Sequence, residues 1–168
     1  MKEEIVNKVA KSGIETLDLA SFRPKGKRAV IDVADTLWQG IALKESDFRQ
    51  WVKDHDWSTY ADAHVAVHCT VDAIIPSWVY MILGSELAPY AATVHFGSSE
   101  SLEEYLYAQV ISALDLGMYQ DRLIMLKGCG EEVPTGAYLY LTQRLREVAK
   151  SVMFGEPCSA VPVYKRKN

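Results

Sequence analysis

Three cysteines, Cys69, Cys129 and Cys158, carry the most specific chemistry in this chain of 168 residues. Thiolates bind soft or borderline metal ions and iron–sulfur clusters, and three sulfurs with one oxygen or nitrogen complete a tetrahedral shell. Cys69 stands in AHVAVHCTVDAIIPSW (63–78), where an apolar run ends in His68-Cys69 and passes Asp72 before Pro76. Cys129 stands in KGCG (127–130) and Cys158 in GEPCSAVP (155–162). Asp72 is the preferred fourth ligand, with His68 and Glu156 as further candidates. There is no Cys-x-x-Cys pair and no His-x-x-x-His helix, so the fold alone would have to assemble such a site. The bland alternative is that free cysteines are among the most buried residue types, and three packed thiols need no function.

The elements that must position these residues can be read from periodicity. RAVIDV (28–33), AHVAVHC (63–69), ATVHF (92–96) and RLIML (122–126) read as strands, the last apolar on both faces. Between them lie helical patterns. Residues 46–54 carry Phe48, Trp51 and Val52 on one face, and residues 76–88 open on Pro76. Ser101 and Glu104 form a capping-box pair ahead of Leu106, Val110 and Leu114. Tyr138, Leu141, Leu145, Val148 and Val152 make a stripe through the last helix. Ile41-Ala42-Leu43 reads as a short strand after the Gln39-Gly40 turn, placed to pair with 28–33. The first residues form an amphipathic pattern with Ile5, Val6 and Val9 on one side. Alternating strands and helices predict an α/β fold: one domain over 1–168, with a mainly parallel sheet of about four or five strands flanked by helices.

In open α/β sheets, sites collect beyond the carboxyl ends of the strands. That edge receives Asp32 and Asp35, Cys69 and Asp72, His95, and Cys129. Two cysteines thus fall at equivalent positions, each just after a strand and before a helix. Gly128 and Gly130 leave the backbone around Cys129 free to aim the sulfur inward. Cys158 meets a geometric objection, because the last helix should carry it to the opposite edge. Only an extended stretch over 153–158 would bring it back, and Pro157 and Pro162 suit such a segment. His68 points to the sheet face opposite Cys69. His55-Asp56-Trp57 reads as a structural corner at a helix end, and His64 and His95 as surface or packed histidines. Asp32 with Asp35 is either a carboxylate pair or a turn former, and Asp72 serves equally as a helix cap.

Composition narrows the classes. Hydrophobic residues make up 49% and charged residues 24%, ordinary for a globular protein able to bury its own core. A formal charge of −4, with the tail Lys165-Arg166-Lys167 read as a solvated end, speaks against a nucleic-acid binder. The N-terminal segment lacks the apolar centre of a signal peptide, and no window approaches a membrane span, so a cytoplasmic location is expected. An odd number of cysteines argues against a disulfide framework. The dinucleotide-binding glycine fingerprint, the Walker loop and the Gly-x-Ser-x-Gly elbow are all missing.

VKDHDWSTY, CTVDAIIPSWVYM with LAPYA, KGC, and AKSVMFGEPCSAVPVYK resemble the domain-of-unknown-function family 2480 over nearly the whole chain. The family's signature stretches are those that hold Cys69 with Asp72, Cys129 and Cys158, and they leave out His64 and His95. Bacterial members tend to be encoded near components of iron–sulfur cluster assembly, so the resemblance implies a role in sulfur or iron handling.

Three functions follow as expectations. The first is a metal-binding accessory protein, with zinc, iron or an iron–sulfur cluster held by Cys69, Cys129, Cys158 and Asp72, and iron–sulfur assembly proteins as partners. The second is a thiol enzyme or sulfur carrier with Cys129 as nucleophile. The third is an interaction module whose cysteines are merely packed. None calls for nucleic acid or a membrane, and all are compatible with a homo-oligomer.

Overall fold

The structure is a computed structural model that describes residues 13–128, 132–156 and 159–167. In chain order the elements are β1 (Ile14–Asp18), β2 (Arg28–Asp32), α1 (Glu45–Asp54), β3 (His64–His68), α2 (Ser77–Leu87), β4 (Thr93–Phe96), α3 (Ser99–Ala113), β5 (Leu123–Lys127), α4 (Thr135–Val148), β6 (Ser151–Phe154) and β7 (Val161–Lys165). The α/β class read from the sequence holds, and the predicted strands at 28–33, 63–69, 92–96 and 122–126 are β2, β3, β4 and β5. They belong, however, to two sheets. The chain divides into two compact units, Lys25–Tyr105 and the flanking segments before and after it, with the boundary passing inside α3.

The Lys25–Tyr105 unit is built on an all-parallel sheet in the order β2-β3-β4. The central strand β3 is buried from Ala63 to Val67, as its continuous apolar run requires. Val65 and Val67 pack against Phe48 of α1 and Val79, Leu83 and Leu87 of α2. Each such side chain contributes about 1.5–3 kcal/mol on burial. Residues 41–43 do not pair with β2. Ala42 instead bridges back to Trp38 across Gln39, Gly40 and Ile41, a tight three-residue hairpin loop whose first two residues have positive φ.

The other unit carries a four-stranded sheet, β1-β5-β6-β7, parallel except for the β6–β7 pair. Ile124, Leu126 and Val152 face Ala137, Leu141 and Leu145 of α4, with Tyr107 and Ile111 of α3 completing the core. The predicted stripe through Val152 is corrected here. Helix α4 ends at Val148, Ala149 turns extended, and Val152 reaches the same core from β6. Spacing alone hid the change, because Val152 is four residues beyond Val148 and keeps helical phase. The cap of α3 also differs from the sequence reading. The helix begins at Ser99, and Ser98 Oγ accepts the Ser101 N–H at 3.3 Å. The amphipathic stretch around Ile5, Val6 and Val9 lies outside the described residues.

Candidate functional site

At the carboxyl edge of β2-β3-β4, Asp32 ends β2 and ties it to the turn after β3. Its Oδ1 accepts the N–H groups of Ala34 (2.9 Å) and Thr70 (3.1 Å), and its Oδ2 accepts the Thr70 hydroxyl at 2.5 Å. Burial pulls the Asp32 carboxyl upward. The Thr70 hydroxyl, the two N–H groups and nearby His68 outweigh it, and the group ends below its ordinary range. Asp32 is therefore a latch more than a free carboxylate, and Asp35 stands exposed in the next turn.

Cys69 follows β3 and packs against the α1–α2 side of the sheet, its Sγ donating to Val71 O at 3.4 Å. Tyr80 lies close enough that Cys69 and Asp32 raise its phenol, after the larger effect of burial. Asp72 is exposed in the same loop. His68 stands opposite Asp32 in the strand register and lies near enough to Asp32 and Glu100 to lower both carboxyls slightly. Glu100 is held low chiefly by the Ser98 hydroxyl and its own N–H, with His68 a smaller influence.

The other histidines are packing residues. His64 is buried between Lys25 O (2.9 Å from Nε2) and the Thr93 hydroxyl (3.0 Å from Nδ1). His95 Nε2 is 3.1 Å from Ser101 Oγ, whose proton goes to Ser98 O. His95 must therefore donate there, and its ring stacks on Tyr105 at 4.8 Å. Burial holds His95 below the ordinary histidine value. His55 forms the expected corner: its N–H meets Trp51 O, and its ring lies among Trp51, Trp57 and Tyr60.

In the other unit, β5 and β6 run parallel, and their carboxyl ends lie side by side. Leu126 pairs with Phe154, and Gly155 N–H donates to Leu126 O at 3.0 Å. One step further, Lys127 Nζ meets Glu156 Oε2 at 2.6 Å. Gly128 is pinned by Tyr138, whose hydroxyl donates to Gly128 O at 2.8 Å. A Cβ on Gly128 would stand 1.9 Å from that hydroxyl oxygen, so any larger residue requires Tyr138 or the local backbone to shift. An apolar groove of about 430 Å³ opens at the same edge, with Leu126, Tyr138, Leu139 and Phe154 among its walls.

Cys129 and Cys158 lie outside the described residues. What the structure changes is the geometric objection to Cys158. Helix α4 does carry the chain to the opposite edge, and β6, parallel to β5, returns it to the carboxyl end of that strand at Phe154, three residues before Pro157. Cys69 and Asp72 belong by sequence to the Lys25–Tyr105 unit, and Cys129 and Cys158 to the other. Among the described residues, no group of three or more His, Cys, Asp or Glu side chains is arranged to hold a metal ion.

Sequence reasoning missed the Asp32–Thr70 latch and the Lys127–Glu156 pair. Both partners of the second stood in the quoted KGC and GEPC stretches, two residues before each cysteine, but only the hidden strand β6 aligns them.

A family model described as a protein of unknown function, DUF2480, matches residues 3–166. The chain belongs to this family. The DUF2480 match spans both units and includes all three cysteines and Asp72. No curated protein and no solved structure matches the chain. No helix among the described residues is long and apolar enough to cross a membrane.

Proposed function

We propose that this DUF2480 protein is a cytoplasmic accessory protein that binds zinc, iron or an iron–sulfur cluster through cysteine thiolates, serving iron–sulfur cluster assembly. Cys129 and Cys158 form the core of the site, and Cys69 and Asp72 are the proposed third and fourth ligands. The observation that supports this reading is the pairing of β5 with β6, which joins Lys127 to Glu156 at 2.6 Å. Each cysteine follows its member of that pair by two residues, a tether of at most about 7 Å. Two thiols on short leads from one contact suit a shared soft or borderline metal, and a single oxygen ligand keeps such a site exchangeable.

The test is the metal and acid-labile sulfide content of protein prepared without oxygen and without a metal-binding tag. About one metal equivalent per chain is expected, lost sharply in Cys129→Ser and Cys158→Ser. Loss in Cys69→Ser as well assigns the three-cysteine shell. Stoichiometric metal in all three single variants, or a folded protein that stays metal-free after reconstitution, sinks the proposal.

A second reading is a sulfur carrier using Cys129. The clamp of Tyr138 on the adjacent Gly128 favours it, since a nucleophile needs a fixed lead. A persulfide on Cys129 after incubation with a cysteine desulfurase, in metal-free protein, would select this reading over the first.

A further inference from the structure

The carboxyl edge of β2-β3-β4 has features that neither the thiol chemistry nor the packing uses. The turns leaving it converge: Asp32 stands opposite His68 and Val67 opposite Phe96, Thr70 is bonded to Asp32, and Gly97 N–H donates to Val67 O at 2.9 Å. Large apolar side chains stand in water here. Ile74 is 94% exposed and Phe96 70%, with Val71 in the same loop as Ile74 at 40%. Phe96 rests edge-on against Tyr80, ring centres 5.0 Å apart, so it is held in place. Folding gains nothing from exposing these groups, whose removal from water is favourable.

The formally charged residues in the turns along the edge have one sign, with His68 at the end of β3 beside them. Residues 32–36, 69–76 and 97–101 contain Asp32, Asp35, Asp72 and Glu100, and no lysine or arginine. Asp35, Asp72 and Glu100 are exposed. A rim of this kind repels phosphate-bearing partners and attracts cationic ones, while apolar centres supply the contact energy.

We propose that this edge is a docking surface for a partner protein, taking a segment in which an apolar anchor is flanked by lysine or arginine. The anchor covers Ile74 and Phe96, and the cations meet Asp72 and Glu100. The Asp32–Thr70 latch keeps the receiving loop ordered before binding, which limits the entropy lost on docking. The surface lies in the Lys25–Tyr105 unit and does not require the proposed metal.

The probe is a helical peptide of leucine and lysine carrying a photocrosslinker, with a leucine–glutamate peptide as control. Binding to the full chain is read by fluorescence anisotropy at physiological salt. The cationic peptide is expected to bind and crosslink within 69–76 or 96–101. The double variants Ile74→Ser/Phe96→Ser and Asp72→Asn/Glu100→Gln should each weaken it tenfold or more, with circular dichroism unchanged. Unaltered affinity in either variant, crosslinks elsewhere, or no binding by the wild-type chain overturns the proposal. Self-association of the wild-type chain that Ile74→Ser/Phe96→Ser abolishes would also overturn it, assigning the edge to a second copy.

Discussion

Lys127 and Glu156 form an ion pair of 2.6 Å across the carboxyl ends of two parallel strands that are separated in sequence by the whole of α4. The pair joins the two turns that lead to Cys129 and Cys158. Both side chains are substantially solvated, so the contact contributes only about 0–1 kcal/mol to stability. Its effect should instead fall on the geometry of the two leads. Glu156→Gln is expected to leave the urea midpoint nearly unchanged while lowering zinc affinity at least several-fold in a chelator competition. Equal affinity in the variant would show that the leads are positioned without the pair.

Gly128 and Tyr138 make a second, steric requirement on the same lead. Gly128→Ala places a methyl group where the Tyr138 hydroxyl now sits, so either the hydrogen bond or the local backbone must give way. A loss of about 1–3 kcal/mol is expected from thermal or urea unfolding. Tyr138→Phe removes the oxygen that is struck. A double-mutant cycle should therefore show coupling above about 0.5 kcal/mol, and strict additivity would contradict the contact.

The Asp32 latch predicts an acid dependence. Its folded pKa lies below the unfolded value near 3.8, so the stabilisation is present above that value and is lost as pH falls through the lower folded one. Asp32→Asn should reduce stability at pH 7 by about 1 kcal/mol, given the partial exposure of the group. The gap between variant and wild type should close as the pH is brought toward 3. A gap of constant size down to that pH would mean that the carboxylate charge does not matter.

His95 works in the opposite sense. Burial depresses its pKa, so the unfolded chain takes up the proton first as pH drops. Stability should be unaffected by this group well above pH 6.5 and should decline below it, until the folded pKa is passed. His95→Gln retains a donor for Ser101 and should flatten the decline between pH 7 and 5 in urea titrations. An unchanged slope would assign the acid sensitivity elsewhere.

What the sequence determined by itself was local. The apolar run of β3 has to be a covered strand, because branched residues flanked by turns can bury both faces only in a sheet with helices on it. The helices α1 and α2 and the α/β class follow from the same reasoning, as does the packed character of His55. What only the tertiary structure decided was non-local. Val152 reads as helix by spacing and becomes strand because β5 offers an unpaired parallel edge, a partner 28 residues away that no local window contains. The division of the strands between two sheets has the same origin, since hydrogen-bond partners are chosen by closure of the chain and not by composition. So do the Thr70–Asp32 and Lys127–Glu156 contacts. Residue types named the thiols and carboxylates that could do chemistry, but strand pairing alone set which of their turns share an edge.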